Sequence, residues 1–460
     1  MEKELELRDY INRLSELYGE VALKGDEAIL LWLKGKDAWN KWVEENPEVE
    51  VFFTGVEFSY EALKERFPGN DNVERLRETP FRLNKELVCF SEYNFGGNVY
   101  FCNVTFSSPV CFSDAAFNSH VYFSNVTFGT TASFQNATFG GSTLFQKVIF
   151  NDFTNFRETI SCDNLNFNMV TFRDEVTFHN VTLNGCVFIN TVTFSGPVLF
   201  SGAVFSSKVD FIRSAFGDFV TFVGAVFQSE FMFDVKNAER LTSLDFKGAV
   251  FEKRFLISGS FGCIPDLRQI KTNLHVDLSK LRVHLVRTRE KYVAFQKKAV
   301  DLDDAERLCR LKEIADENKN HKRALAFHAD EQRANRWGEL SSLQSVLDIF
   351  YSATSNYGQS ILRPFVWLAF CITLFAVYAV NKSNNDSLGA VDKYTLATEL
   401  SIATVTPFLS VSKSAREDGM KLLYQDKRIR WFNLLSYLHS FFSFIFIFLI
   451  GLGLRNRFRI

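Results

Sequence analysis

The residues best suited to chemistry in this chain stand apart from one another. Its eight cysteines fall singly at 89, 102, 111, 162, 186, 263, 309 and 371, with no CxxC pair. Neither a zinc knuckle nor a disulfide framework follows from that spacing. His328 and Glu331 sit one helical turn apart, with His321 upstream, but no further ligands recur at a fixed interval, so a solvated helix face fits them better than a metal site. No nucleophile–base set, phosphate-cradling glycine loop or paired carboxylate motif is present. The expectation is a non-enzymatic protein without cofactor or metal.

Polar residues inside apolar surroundings are more telling. Trp431–Leu454 is 24 residues long without Asp, Glu, Lys or Arg, yet carries Asn433, Ser436, Ser440 and Ser443 at steps of three, four and three, with His439 beside them. Such a stripe either packs helices closely, Ser436 and Ser440 being a small-xxx-small pair, or lines a water path in an oligomer. Upstream, YTLATELSIATVTPFLS (394–410) combines apolar residues with Glu399, Thr404, Thr406 and the helix breaker Pro407. In a pore Glu399, Thr404 and Thr406 would stand near the constriction.

The elements that position these residues read as a membrane domain over 346–460. Phe365–Val380 is uncharged and spans about 24 Å as a helix; Ile361, Leu362 and a snorkelling Arg363 extend it toward a ~30 Å core. Spans at about 361–380 and 431–454 are expected, with a re-entrant segment at 394–410 between them. Residues 279–337 read as three amphipathic helices, carry 15 basic and 10 acidic side chains, and fall in a helical linker domain over 266–345. The charged N-terminus, MEKELELRDYINRLSEL, lacks the core of a signal peptide. The expected location is therefore a plasma (bacterial inner) membrane, multi-pass, with both termini cytosolic. RNRFRI at 455–460 agrees with that, whereas Lys427, Arg428 and Arg430 do not.

Between residues 88 and 257 a different order rules. Of 460 residues 51 are Phe, and they recur on a clock: Phe90, Phe95, Phe101, Phe106, Phe112, Phe117, Phe123, Phe128, Phe134, Phe139, Phe145, Phe150 and Phe156. After a blurred position at Ser161 the centres run Phe167, Phe172, Phe178, Leu183, Phe188 and Phe194, and then continue to Phe251. Steps alternate between five and six. Two residues before each centre stands a small or aliphatic residue (Val99, Val104, Val110, Ala115), on the same side of an extended segment. Each unit offers one inward pair and then turns a corner on Gly, Ser, Asn or Asp.

Units such as NVTF, NATF and SGAVF resemble those of the pentapeptide-repeat proteins, in a Phe-centred 5+6 variant. The resemblance implies a right-handed quadrilateral β-helix with the centre and i−2 residues inside, among them Phe106, Phe112, Phe117, Phe123, Phe128, Phe134, Phe139 and Phe145. At four units per coil it implies about seven coils. The repeat domain is expected over 51–262, interrupted by an insertion at 59–87 that opens with a short helix (YEALKERFPG). A leader over 1–50 precedes it, in which GKDAWNKWVEENP, with Trp39, Asn40 and Trp42, would cover the end of the solenoid. The C-terminal pattern (NYGQSILRPFVWL, ATVTPF, FIFLIGLGLRNRFR) resembles the channel-like tail of many bacterial pentapeptide-repeat proteins, without the TVGYG filter.

Three functional readings result. In the first, a cytosolic solenoid binds an unidentified protein or ligand and governs an oligomeric two-span pore that conducts ions. In the second, the same solenoid is a scaffold and the tail anchors it. The third, a DNA mimic that inhibits gyrase, is disfavoured because residues 90–262 carry 14 acidic and 10 basic side chains. Lipid and a second copy are expected partners; nucleic acid is not. The sequons at Asn103, Asn125, Asn136 and Asn180 are by-products of the repeat.

Overall fold

The computed structural model describes residues 22–78, 88–289, 297–385, 387–405, 410–425 and 431–458. The chain divides into two compact units, Met1–Val286 with Glu306–Ala324, and Arg287–Ala305 with Leu325–Ile460.

The first unit is a parallel β-solenoid of about nine turns. Among the described residues its strands form four parallel ladders of 12, 7, 8 and 9 strands, and the chain visits each in turn. One turn takes 22 residues: Val99 pairs with Val121, Val121 with Thr143, and Thr143 with Leu165. The 5+6 alternation has a backbone cause. In each five-residue step the residue two past the centre has positive φ, as at Asn103 (55°), Asp114 (57°), Asn125 (55°) and Asn136 (58°). A left-handed residue turns the corner in one fewer position, and Asn and Asp tolerate it best. The six-residue steps turn on residues pressed against the coil below. At Gly140 an added Cβ would lie 2.9 Å from the Asn118 carbonyl oxygen.

The Phe centres stack ring on ring. Phe123 lies 4.9 Å from Phe101 and 4.7 Å from Phe145; Phe134 lies 5.0 Å from Phe112 and 4.7 Å from Phe156. All eight core phenylalanines named above are buried. Each contributes about 2–3 kcal/mol relative to exposure. Ser161 takes one ring's place, fully buried, and donates to the Asp163 carbonyl at 2.9 Å. Phe188 is a correction: it faces outward, and Ile189 fills the stack between Phe167 and Phe211. A six-residue step from Leu183 to Ile189 preserves the alternation that a centre at 188 would break.

Helices close both ends of this unit. Helices α1 (Gly25–Leu33) and α2 (Lys36–Glu45) precede the first coil. The Trp39 indole donates to the Asn94 carbonyl at 2.8 Å, the Trp32 indole to the Cys89 carbonyl at 2.9 Å, and Asn40 Oδ1 accepts from the Asn94 amide at 2.8 Å. These side chains replace the hydrogen bonds of a coil that is not there, and their rings lie over Phe53, Phe90 and Phe95. The insertion begins as α3 (Tyr60–Arg66), capped by Ser59, and α4 (Asp71–Glu78); residues 79–87 lie outside the described residues, as do 1–21 of the leader. At the far end, α5 (Asp304–Glu317) buries Leu308, Leu311 and Ile314. Beyond it Asn318 donates to the Val276 carbonyl and Arg323 to that of Ser279.

Two expectations fail here. The solenoid has about nine turns rather than seven and does not stop at 262, since Val276–Asp277 and Leu281–Val283 still pair with the strand Phe255–Phe261. The first of the three expected linker helices, 279–300, is not a helix at its described residues, 279–289 and 297–300. Leu281 is wholly buried in the ladder, and Arg287–Arg289 pairs antiparallel with Lys297–Ala299. The edge strand Phe255–Phe261 offers Leu281–Val283 backbone partners already in place, which outweighs the local helix pattern there.

The second unit holds the end of α6 (His321–Asn335) and helices α7 (Ser342–Ser355), α8 (Leu362–Asn381), α9 (Ala390–Val405), α10 (Ser410–Tyr424) and α11 (Phe432–Phe458). Helices α8 and α11, of 20 and 27 residues, are long and apolar enough to cross a membrane. They share a core with α9 and α10 formed by Phe375, Ala376, Ala379, Ala397, Leu400, Leu423, Tyr424 and Phe432. The sequence pattern did not announce α10, whose polar run SVSKSAREDGMK hides the buried pair Leu423 and Tyr424.

Candidate functional site

The polar groups of the apolar helices converge within one subunit. Ser401 on α9 is fully buried; its hydroxyl donates to the Ile372 carbonyl of α8 at 3.0 Å and lies 3.1 Å from His439 Nε2 of α11. The same Nε2 lies 3.3 Å from the Ser401 carbonyl oxygen. A carbonyl only accepts, and the Ser401 proton is engaged by Ile372, so Nε2 carries the imidazole proton in this arrangement. Phe375 of α8 stacks on the imidazole, centroids 4.6 Å apart and planes 8° apart. One histidine therefore ties three helices together.

Ser436 and Ser443 flank His439 on the same buried face, and neither hydroxyl has a hydrogen-bond partner among the described residues. The buried arc of α11 is Phe432, Ser436, His439, Ser443, Phe446, Leu449 and Gly453. It includes only part of the expected stripe, because Asn433 is exposed and Ser440 half-buried. On α9, Thr404 is buried and donates to the Leu400 carbonyl at 2.7 Å, whereas Glu399 is exposed on another face. The two are not brought together, and Thr406 and Pro407 lie outside the described residues. Ser401 was missed. Its signal was the spacing Ala397, Leu400, Ser401, Thr404, the i, i+3, i+4, i+7 face of a helix with a polar group at its centre.

In the solenoid the corners carry polar side chains outward. Asn125 donates to Asn103 at 2.7 Å and Asn136 to Asp114 at 3.1 Å, so the corners carry ladders of amide and carboxylate groups. Phe52, Tyr100 and Tyr122 stack on the outer face of the first ladder at 4.4 and 4.8 Å. The same register continues through Leu144, Asn166, Phe188, Asp210 and Met232. A cleft of 560 Å³ beside the last coil is lined by Arg254, His275, Asp277, Ser279, Glu317 and Lys319, among others. Hydrogen bonds from Ser279, and then Arg254 at 3.4 Å, hold the Asp277 carboxyl below its ordinary value. Its charges are mixed. His328 Nδ1 lies 3.3 Å from Glu331 Oε2 on the second unit's part of α6, and no group of three or more potential ligands occurs among the described residues.

Residues 101–148 match a family model described as pentapeptide repeats (9 copies). No curated protein and no solved structure matches the chain.

Proposed function

Taking the chain as a pentapeptide-repeat solenoid joined to two apolar helices, we propose that it is a non-enzymatic, membrane-anchored interaction protein. The solenoid offers its outer ladders to a cytosolic protein or ligand, and α8 and α11 cross a plasma membrane with both termini on the cytosolic side. One observation carries this reading: Ser436, His439 and Ser443 of α11 are turned into the protein's own interior, where His439 bonds to Ser401. What α11 shows outward is Tyr437, Leu438, Phe441, Phe444 and Phe448, a surface suited to lipid.

A second reading, an oligomeric ion-conducting pore governed by the solenoid, is favoured by a different face. Helix α9 exposes Tyr394, Thr395, Thr398, Glu399 and Ile402, and a carboxylate among threonines on a helix packed against both apolar helices could line a path shared between copies.

Ion flux into liposomes carrying the full-length protein separates the two. The anchor reading expects flux no greater than in protein-free liposomes and a monomeric mass in detergent. Flux that changes in Glu399→Gln, together with an oligomeric mass, would establish the pore and displace the anchor.

A further inference from the structure

Helix α7 is built inside out. A capping box fixes its start, Ser341 accepting from the Gln344 amide while Gln344 reaches back to the Ser341 amide. Its inner line is polar. Ser345 accepts from the Trp337 amide at 3.1 Å; Asp348 accepts from Arg336 at 2.7 Å and from the Tyr357 hydroxyl at 3.0 Å. Thr354 and Ser355 are buried and donate back to the carbonyls of Phe350 and Tyr351. The outer line is apolar: Leu343, Val346, Leu347 and Phe350 are 71%, 53%, 59% and 41% exposed, at i, i+3, i+4 and i+7. Four large apolar side chains on one helical stripe, with serine and aspartate packed beneath, form a face made for a medium other than water.

Its position within the second unit says which medium. Helix α7 leads into α8 through residues 356–361, of which Asn356, Tyr357 and Gly358 are at positive φ. Arg333 donates to Asn356 at 2.5 Å, and Arg363, on the first turn of α8, donates to the Ser352 carbonyl of α7 at 3.1 Å. The far end of α11 returns to the same level: Asn456 donates to the Gly358 carbonyl at 3.1 Å, and Gly453 abuts Ser360 and Ile361. So α7 lies where α8 begins and α11 ends, with Arg363 in the first turn of α8 and Arg455 and Arg457 in the last turn of α11. The outward surface of α8, Phe365, Val366, Phe370 and Leu374, begins there.

We propose that α7 is an interfacial helix whose Leu343, Val346, Leu347 and Phe350 sink into the headgroup–acyl boundary of the leaflet at which α8 begins. It rests on the reading of α8 and α11 as membrane spans. An apolar stripe over a fixed polar underside, joined by a six-residue elbow to a span and flanked by arginines, matches what binds in the plane of a bilayer. The arginines favour anionic headgroups on that side.

The test places an environment-sensitive fluorescent amino acid at Leu347, and separately at Leu374 on α8, in the full-length protein. Each variant is reconstituted into phosphatidylcholine–phosphatidylglycerol vesicles whose acyl chains are brominated near the headgroup or near the bilayer centre. The expected result is emission at 347 quenched about twofold more by shallow than by deep bromine, and the reverse order at 374. Quenching at 374 without quenching at 347 would overturn the interfacial helix and leave the spans intact; a second protein copy over the stripe would give this outcome. Stronger quenching of 347 by deep bromine would also overturn it. An absence of quenching at both positions would sink the membrane reading and this inference together.

Discussion

The solenoid and the C-terminal helices obey opposite rules of inside and outside. In the first unit phenylalanine is buried and Ser, Thr and Asn face out: Phe134 is wholly buried, and Asn136 stands at the corner beside it. In the second, Phe444 and Phe448 are each 63% exposed while Ser401 and Ser443 are buried completely. Water rewards the first arrangement. Hydrocarbon rewards the second, because apolar side chains gain nothing by hiding from lipid, while a hydroxyl in lipid needs a partner or a close-packed neighbour. A stability change upon substitution should therefore depend on which unit carries the residue.

The largest effect tests that inversion directly. Phe134→Ala, between the rings of Phe112 and Phe156, should cost about 3–5 kcal/mol in the urea unfolding of the full-length protein in detergent. Phe444→Ala should change stability by no more than about 0.5 kcal/mol in lipid–detergent micelles. Comparable losses at the two sites would mean that Phe444 is covered by protein and would break the comparison.

A smaller effect comes from the sealed end of the solenoid. Asp266 accepts from Arg268 at 2.6 Å and lies 3.6 Å from Arg307 Nε. Burial pushes its carboxyl up, but the Arg268 hydrogen bonds and the charges of Arg268 and Arg307 outweigh this and hold it below the ordinary value. A depressed carboxyl contributes stability above the unfolded value of about 3.9 and loses it as pH falls through the lower folded one. Asp266→Asn should thus cost about 2 kcal/mol at neutral pH. The gap between variant and wild type in thermal unfolding should close below about pH 4. A gap unchanged in acid would show that shape, not charge, holds this end.

The polar joint among the apolar helices should be weaker still. A double-mutant cycle of Ser401→Ala and His439→Leu is expected to give a coupling of about 0.6 kcal/mol, and no more than about 1.7, in unfolding from mixed micelles. Strictly additive losses would mean that the 3.1 Å contact contributes no stability and that packing alone orients α11.

How far these two regions were legible follows from the same physics. A solenoid repeats one local solution, so its code is written many times, and one ambiguous site such as Ser161 cannot hide it. The cap was legible because Trp39 and Asn40 belong to the local pattern of α2. Phe188 and Ile189 were confused because both are apolar neighbours and only the coil register decides which points inward. Helix α8 or α11 announces itself by composition, but its buried side does not: Ser401 becomes important only because His439, 38 residues away, is brought to it. The strand Leu281–Val283 was misread for the same reason, since its partner is the edge of a ladder already formed.

The smallest expected effect lies at the solenoid corners and sharpens the claim that its stability is more than a stack of rings. Thr191 has φ of 57°, at the corner where Asn103 and Asn125 stand in earlier turns. A β-branched residue there bears the clash of Cβ with the following carbonyl, about 1–2 kcal/mol, part of which asparagine relieves. Among the described residues the Thr191 hydroxyl bonds only to Asn190, at an exposed site, so little is lost with it. Thr191→Asn should therefore stabilise the solenoid by about 0.5 kcal/mol, seen as a higher urea midpoint with an unchanged slope. A lower midpoint would mean that the Thr191–Asn190 contact outweighs the corner strain. The five-residue step would then be set by the pull of the buried rings rather than by the turn.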